Sequence, residues 1–205
     1  MIRLDEETHI YYKNGVKIPG VTEVLAKTGI AKYPDIQVLR DARYRGTVVH
    51  KAIELYQKGT LDEENLAKEP TFAAMKIPGY VDAAKRFIDE RVAKIINFEM
   101  LVCHIIFLYG GKLDTLFITK DSRCVIGDWK TGLIPYWVEL QTGAYLEAIL
   151  SDKSLELESD ELWHGAIQLN PDGTYAEPRI SKDRSGFGLF RQALNILNYT
   201  ESKGR

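Results

Sequence analysis

Gly111-Lys112-Leu113-Asp114-Thr115-Leu116-Phe117-Ile118-Thr119, the polar break Lys120-Asp121-Ser122, and Arg123-Cys124-Val125-Ile126-Gly127-Asp128-Trp129 decide the fold of this chain. Both apolar runs are rich in β-branched and aromatic residues, and each has the length of one strand. A further β-rich run over residues 99–108, set off by Gly110-Gly111, completes a three-strand antiparallel meander. Side chains two apart on a strand project from one face, so Asp128 and Lys130 aim a carboxylate and an ammonium into one place. Asp114 supplies a second carboxylate from the preceding strand.

Working outward, residues 9–12 and 16–18 flank Asn14-Gly15, the signature of a tight hairpin. Pro19-Gly20-Val21-Thr22 closes it and opens a short helix over 23–27, ended by Gly29. Residues 36–58 read as a helix, irregular at Gly46-Thr47, with Val49, Ile53 and Tyr56 at helical spacing. Asp62-Glu63-Glu64 is a solvated acidic loop or a short helix start. A second helix spans 79–96, on the stripe Val81, Ala84, Phe87, Ile88 and Val92.

After the meander come a turn over 131–135, a helix over 138–150, and a hairpin of 162–169 and 174–180 around Asn170-Pro171-Asp172-Gly173. A helix over 187–199 closes the chain. The expected fold class is α/β (α+β mixed), a central mixed sheet with helices on its faces. No linker or repeat divides the 205 residues, which are read as one domain. Its parts are an N-terminal hairpin and short helix (1–35), a catalytic core (36–150) and a C-terminal hairpin and helix (151–205).

Composition excludes several classes. The 45% apolar and 27% charged content is that of an ordinary globular protein. No run approaches the roughly 18 apolar residues of a membrane span. The acidic start, Met1 to Glu7, lacks a signal or transit pattern, so an intracellular, cytoplasmic location is expected. A net charge of −2 is not that of a protein that coats nucleic acid, so any such contact must be local. Cys103 and Cys124, in apolar runs without Cys-x-x-Cys spacing, read as buried free thiols.

Phosphodiester cleavage needs an activated water, in-line geometry and charge relief on phosphorus, all of which a carboxylate-held divalent metal provides. Asp114 and Asp128 suit Mg²⁺, which takes one or two carboxylates plus phosphate oxygens and water. Lys130 can position the water or stabilise developing charge. His50 lies one helical turn before Glu54, so both share a helix face and an imidazole ligand is available. Singly these signals are bland: a helical histidine is ordinarily a packing or surface residue, and Asp-x-Lys alternates on many exposed strands. Their order in the chain gives them force.

That order resembles the motifs of the PD-(D/E)XK nuclease superfamily, and more narrowly its RecB-type exonuclease branch. The matching segments are Gly46-Thr47-Val48-Val49-His50-x-x-Ile53-Glu54, Gly111-x-x-Asp114, Asp128-x-Lys130-Thr131-Gly132 and Gln141-x-x-x-Tyr145. Pro19-Gly20-Val21-Thr22 is similar to a Pro-Ser-Val-Thr segment of phage and mitochondrial genome-maintenance members, with Gly20 where serine is commoner. The likeness covers about residues 11–145. It implies a restriction-endonuclease-like core and a Mg²⁺-dependent deoxyribonuclease, with Mn²⁺ substituting.

It also implies metal ligands His50, Asp114 and Asp128, catalytic Lys130, and Gln141 and Tyr145 ordering the site and touching DNA. Glu99 matches a family glutamate, or is a strand-end charge in solvent; Glu54 is a further supporting residue. The branch members with an iron–sulfur cluster use four cysteines, so no cluster is expected here.

Thr22, Arg43, Arg45, Lys51 and Lys112 are candidate DNA contacts, with Arg40 nearby, and Tyr44, Tyr136 and Trp137 are candidates to stack on bases. The expected activity is exonucleolytic, on single-stranded DNA or duplex ends in recombination, repair or phage DNA processing, with a recombination or replication protein as partner. A structure-specific flap or branch endonuclease, or an idle DNA-binding module of the same fold, are the alternatives.

Overall fold

The computed structural model describes residues 1–32, 36–155 and 161–204; for residues 36–39 only the backbone is described. Strands β1 (Ile2–Asp5), β2 (Ile10–Lys13) and β3 (Val16–Ile18) form an antiparallel sheet in that order. Asn14 and Gly15 both take positive φ, 52° and 82°, as the expected two-residue turn requires. Ile2–Asp5, outside the expected hairpin, form a further strand: Leu4 lies opposite Tyr11 and packs with Ile18 and Cys103. The N-terminal unit is therefore a three-strand sheet rather than a hairpin.

Helix α1 (Val21–Lys27) follows, with the Glu23 carboxylate accepting from the Gly20 N–H at 3.2 Å. Next come α2 (Ile36–Gln57), α3 (Glu63–Lys68), α4 (Pro70–Ala74) and α5 (Ile77–Arg91). Asp62 caps α3 by accepting from the Asn65 N–H, which settles the acidic segment as a helix start. The short α4, opened by Pro70, had no counterpart in the sequence reading.

Strands β4 (Val92–Cys103), β5 (Gly110–Thr119) and β6 (Cys124–Lys130) form the expected antiparallel meander. Its first strand is displaced along the chain. Residues 92–96, which helical spacing extends into the preceding helix, are strand: Val92 pairs with Thr119 and Ile95 with Phe117. Val92, Ile95 and Ile96 are β-branched, and an available strand partner overrides a local periodicity that both structures satisfy. At the other end, residues 104–108 leave the ladder. The His104 imidazole Nδ1 accepts from the N–H groups of Ile106 and Phe107, both at 3.2 Å, and closes a turn.

Helix α6 (Val138–Ser151) crosses to β7 (Leu162–Gln168), which pairs parallel with β6 from Cys124↔Leu162 to Lys130↔Gln168. Strand β8 (Arg179–Ser181) adds antiparallel, giving the mixed order β4-β5-β6-β7-β8. Residues 174–178, expected as strand, contribute only an isolated bridge between Tyr175 and Leu169. Helix α7 (Ser185–Lys203) closes the chain.

The sheet is covered on both faces, as its continuous apolar central strand demands. Ile126, Cys124 and Leu116 pack with Leu146, Phe190 and Leu25 under α6, α7 and α1. Val125, Trp129 and Phe117 pack with Phe87, Val81 and Ile53 under α5 and α2. Both cysteines are buried free thiols. Among the described residues, no helix is long and apolar enough to cross a membrane.

Candidate metal centre

The ladder between β5 and β6 stops at Thr115↔Gly127, while β6 continues beside β7 to Lys130. Where the two strands part, the Asp114 side chain takes the place of a backbone partner: its Oδ2 accepts from the Trp129 N–H at 2.8 Å. The Trp129 carbonyl in turn accepts from His50 Nε2 at 2.9 Å. His50 Nδ1 then lies 3.3 Å from Asp114 Oδ1. The Trp129 side chain is 2% exposed and edge-on to Phe87, so this peptide is fixed by the core beneath α5.

Glu99 enters from β4. The pairs Phe98↔Thr115 and Met100↔Leu113 place it opposite Asp114. Its φ is 50°, left-handed backbone that a strand glutamate occupies only under constraint. Ligand atoms of His50, Glu99 and Asp114 lie within 4.8 Å of one another. Like charges facing each other across a strand pair repel. That repulsion is what a bound cation would offset.

A second chain of contacts runs alongside. Lys130 Nζ is 2.6 Å from Asp128 Oδ2 and 3.4 Å from Gln141 Oε1. Gln141 Nε2 donates to the Tyr145 hydroxyl at 3.2 Å. The contact on Asp128 Oδ2 is ionic rather than a well-directed hydrogen bond, leaving that buried oxygen short of a partner. Asp128 and Lys130 thus share a face as the strand period requires, and that face meets α6.

The Gly-x-x-Asp spacing also has a physical cause. A Cβ at Gly111 would lie 2.4 Å from Tyr145 Cε1, so only glycine lets the phenol ring lie on β5. The N-terminal segment is drawn in beside it by the bond from the Gly110 N–H to the Pro19 carbonyl, 2.9 Å.

The electrostatics divide the two carboxylates. Burial pushes both up. At Asp114 the His50 imidazole, then Lys130 and the Trp129 N–H, outweigh burial and hold the group below the ordinary carboxylate range. At Asp128 burial prevails against Lys130, Asp114 adds its repulsion, and the group is raised. Burial pulls His50 down, but Asp114 and then Asp128 reverse this and lift it to about 9. Burial keeps the Tyr145 phenol well above its ordinary range, so it remains a neutral donor.

A cleft of about 870 Å³ opens over the centre. His50, Glu54, Glu99, Asp114, Gln141 and Tyr145 line it, with Thr22, Lys51 and Lys112 from the candidate DNA contacts. Glu6 and His9 of the β1–β2 loop form a wall that sequence reading missed, because that segment was not recognised as the end of a strand pair. Glu54 holds Lys51 at 2.7 Å and also pairs with Lys58.

Arg45 reaches Thr131 Oγ1 at 3.4 Å and lies over the Tyr80 ring, while Arg40 and Arg43 are exposed on α2. Tyr44 and Tyr136 are exposed, but Trp137 is 8% exposed and packs in the core, which removes it from the stacking candidates.

The donor set suits a divalent cation. Nε2–H of His50 is committed to a carbonyl, which can only accept, so the neutral ring presents its Nδ1 lone pair towards Asp114 and Glu99. The cluster of close ligand atoms takes in Glu99; Asp128, expected as a ligand, is engaged by Lys130 beside it. No protein-family model matches this sequence, and no curated protein matches it.

Proposed function

We propose that this chain is a metal-dependent deoxyribonuclease of the PD-(D/E)XK, RecB-like type that removes nucleotides from DNA ends. The observation that carries this reading is the convergence of His50, Glu99 and Asp114 ligand atoms within 4.8 Å, beside the Asp128–Lys130 pair. Mg²⁺ or Mn²⁺ held there supplies Lewis-acid charge relief on the phosphate and lowers the pKa of water. Asp114 and Glu99 give the site its negative charge, and His50 adds a nitrogen ligand oriented by Trp129.

Lys130 is positioned between Asp128 and Gln141, where its ammonium stabilises charge building on the phosphate oxygens. Tyr145 offers a neutral hydroxyl to the same oxygens, and Gln141 fixes both side chains. Walls from the β1–β2 loop and from α2 flank the cleft. That shape favours one strand, so single-stranded DNA or an opened duplex end is the preferred substrate.

The test incubates end-labelled linear single-stranded, linear duplex and covalently closed circular DNA with Mg²⁺ or Mn²⁺. Release of nucleotides from ends, lost in Lys130→Ala, supports the reading. Nicked circles would move it to an endonuclease. Equal inactivity of wild type and Lys130→Ala, with DNA binding retained in both, would replace it with an idle binding module.

A further inference from the structure

Glu99 serves two places at once. Its Oε2 lies 2.8 Å from Lys112 Nζ, and it also supplies one of the three ligand atoms that meet within 4.8 Å. Lys112 has a second carboxylate within reach, Glu6 Oε1 of the β1–β2 loop, at 3.7 Å. Both Glu6 and Lys112 line the cleft, and the Lys112 side chain keeps 28% of its exposure.

A carboxylate cannot give its full charge both to an ammonium and to a divalent cation. In the metal-free site Lys112 neutralises Glu99 and offsets its repulsion with Asp114, the residue facing it across β4 and β5. A cation shared by Glu99, Asp114 and His50 takes over that task and weakens the hold on Lys112. Glu99 is the residue positioned for such an exchange, because its carboxylate is both 2.8 Å from Lys112 and within reach of the His50 and Asp114 ligand atoms.

We propose that Lys112 is a metal-gated phosphate anchor: Glu99 masks it in the metal-free protein, and divalent-cation binding at Glu99 releases it to the backbone phosphates of DNA in the cleft. The proposal rests on the metal-nuclease reading and adds an order of events, metal before DNA. It protects the cleft from holding nucleic acid that it cannot cut. Lys51 provides the contrast. Its partner Glu54 is also held by Lys58 and lies outside the three-ligand cluster, so metal leaves that pairing unchanged.

The experiment measures fluorescence anisotropy of a labelled single-stranded oligonucleotide with the full chain, in EDTA and in Ca²⁺. Calcium stands in for the catalytic metal because its flexible coordination supports binding without demanding octahedral geometry. Ca²⁺ should tighten wild-type binding by on the order of tenfold, the scale of one charge-assisted hydrogen bond to phosphate. Lys112→Gln should retain the EDTA affinity and lose most of that increment, with a salt slope in Ca²⁺ lower by about 1. Lys112→Arg should recover part of it. Glu99→Gln, which leaves Lys112 only the longer 3.7 Å contact with Glu6, should bind DNA in EDTA more tightly than wild type. Lys51→Gln should weaken both conditions by the same factor.

Calorimetry with Mn²⁺ in the absence of DNA separates the two levels. Lys112→Gln should bind Mn²⁺ at least as tightly as wild type, since its Glu99 is unpaired. If Mn²⁺ binds but Lys112→Gln keeps the full Ca²⁺ increment, or Glu99→Gln gains nothing in EDTA, the gate is overturned and the nuclease reading stands. If wild type binds no Mn²⁺, the nuclease reading falls and the gate falls with it.

Discussion

His50 and Asp114, from a helix and a strand far apart in sequence, are joined through the backbone of one residue, Trp129. Its N–H donates to Asp114 Oδ2 at 2.8 Å, and its carbonyl accepts from His50 Nε2 at 2.9 Å. The two side chains then meet at 3.3 Å. Two of the three candidate ligand groups are thus held by a backbone segment that the core immobilises, a supporting shell of the kind metal sites need.

The His50–Asp114 contact makes metal-free stability depend on pH. The His50 pKa is raised to about 9 in the folded chain, against 6.5 ordinarily. Its contribution is fully present below the unfolded value and is lost as pH rises through about 9. Thermal melts in EDTA should show a fall in Tm across that window for wild type, and a smaller one for His50→Gln. Parallel profiles would remove His50 from the protonated pair.

A metal held at the proposed site would compete with the proton for His50 Nδ1. Metal affinity should therefore increase from pH 6 towards 9, by close to tenfold per unit at its steepest, about one proton being displaced. Calorimetry in buffers of different ionisation enthalpy counts that proton. The nitrogen ligand also predicts tighter binding of Mn²⁺ than of Mg²⁺, with the preference reduced in His50→Ala.

Under the proposed function, Asp128 would trade stability for catalysis. Its folded pKa is raised mainly by burial, so its contribution is favourable at low pH and is lost as pH rises through the raised value. Asp128→Asn should lower nuclease activity by about 100-fold or more while leaving the metal-free Tm at pH 8 equal to or above that of wild type. A large drop in Tm would mean that the Lys130 pair outweighs the cost of burial.

Lys130→Ala should lower activity by roughly 100- to 10,000-fold with little change in Mn²⁺ affinity. Lys130→Arg should not restore the rate, because a planar guanidinium cannot reproduce the ammonium held between Asp128 and Gln141. Single-turnover cleavage rates measured beside Mn²⁺ calorimetry separate chemistry from metal binding.

Gly111→Ala should destabilise the fold by about 1–3 kcal/mol, because its methyl meets the Tyr145 ring. Adding Tyr145→Leu should recover part of that loss, whereas additive effects in denaturant melts would show that the two positions are not in contact.

The meander was legible because its runs are β-branched, aromatic and bounded by glycine and polar turns. The Asn14-Gly15 hairpin was legible because its turn needs positive φ. The boundary between α5 and β4 was not: Val92, Ile95 and Ile96 serve either structure, and only β5 as a partner selects the strand. Trp137 was misread as a stacking surface for the same reason, since an aromatic side chain does not announce which side of a sheet will cover it.

By itself the sequence determined the mixed α/β class, the shared face of Asp128 and Lys130, and the helix face carrying Gln141 and Tyr145, because strand and helix periods fix these within one element. Only the tertiary structure decided which groups meet. Two register irregularities in β4 bring Glu99 opposite Asp114, the parting of β5 from β6 opens the cleft, and the Trp129 backbone draws His50 to Asp114. Register and packing are relations between segments, and no local period encodes them.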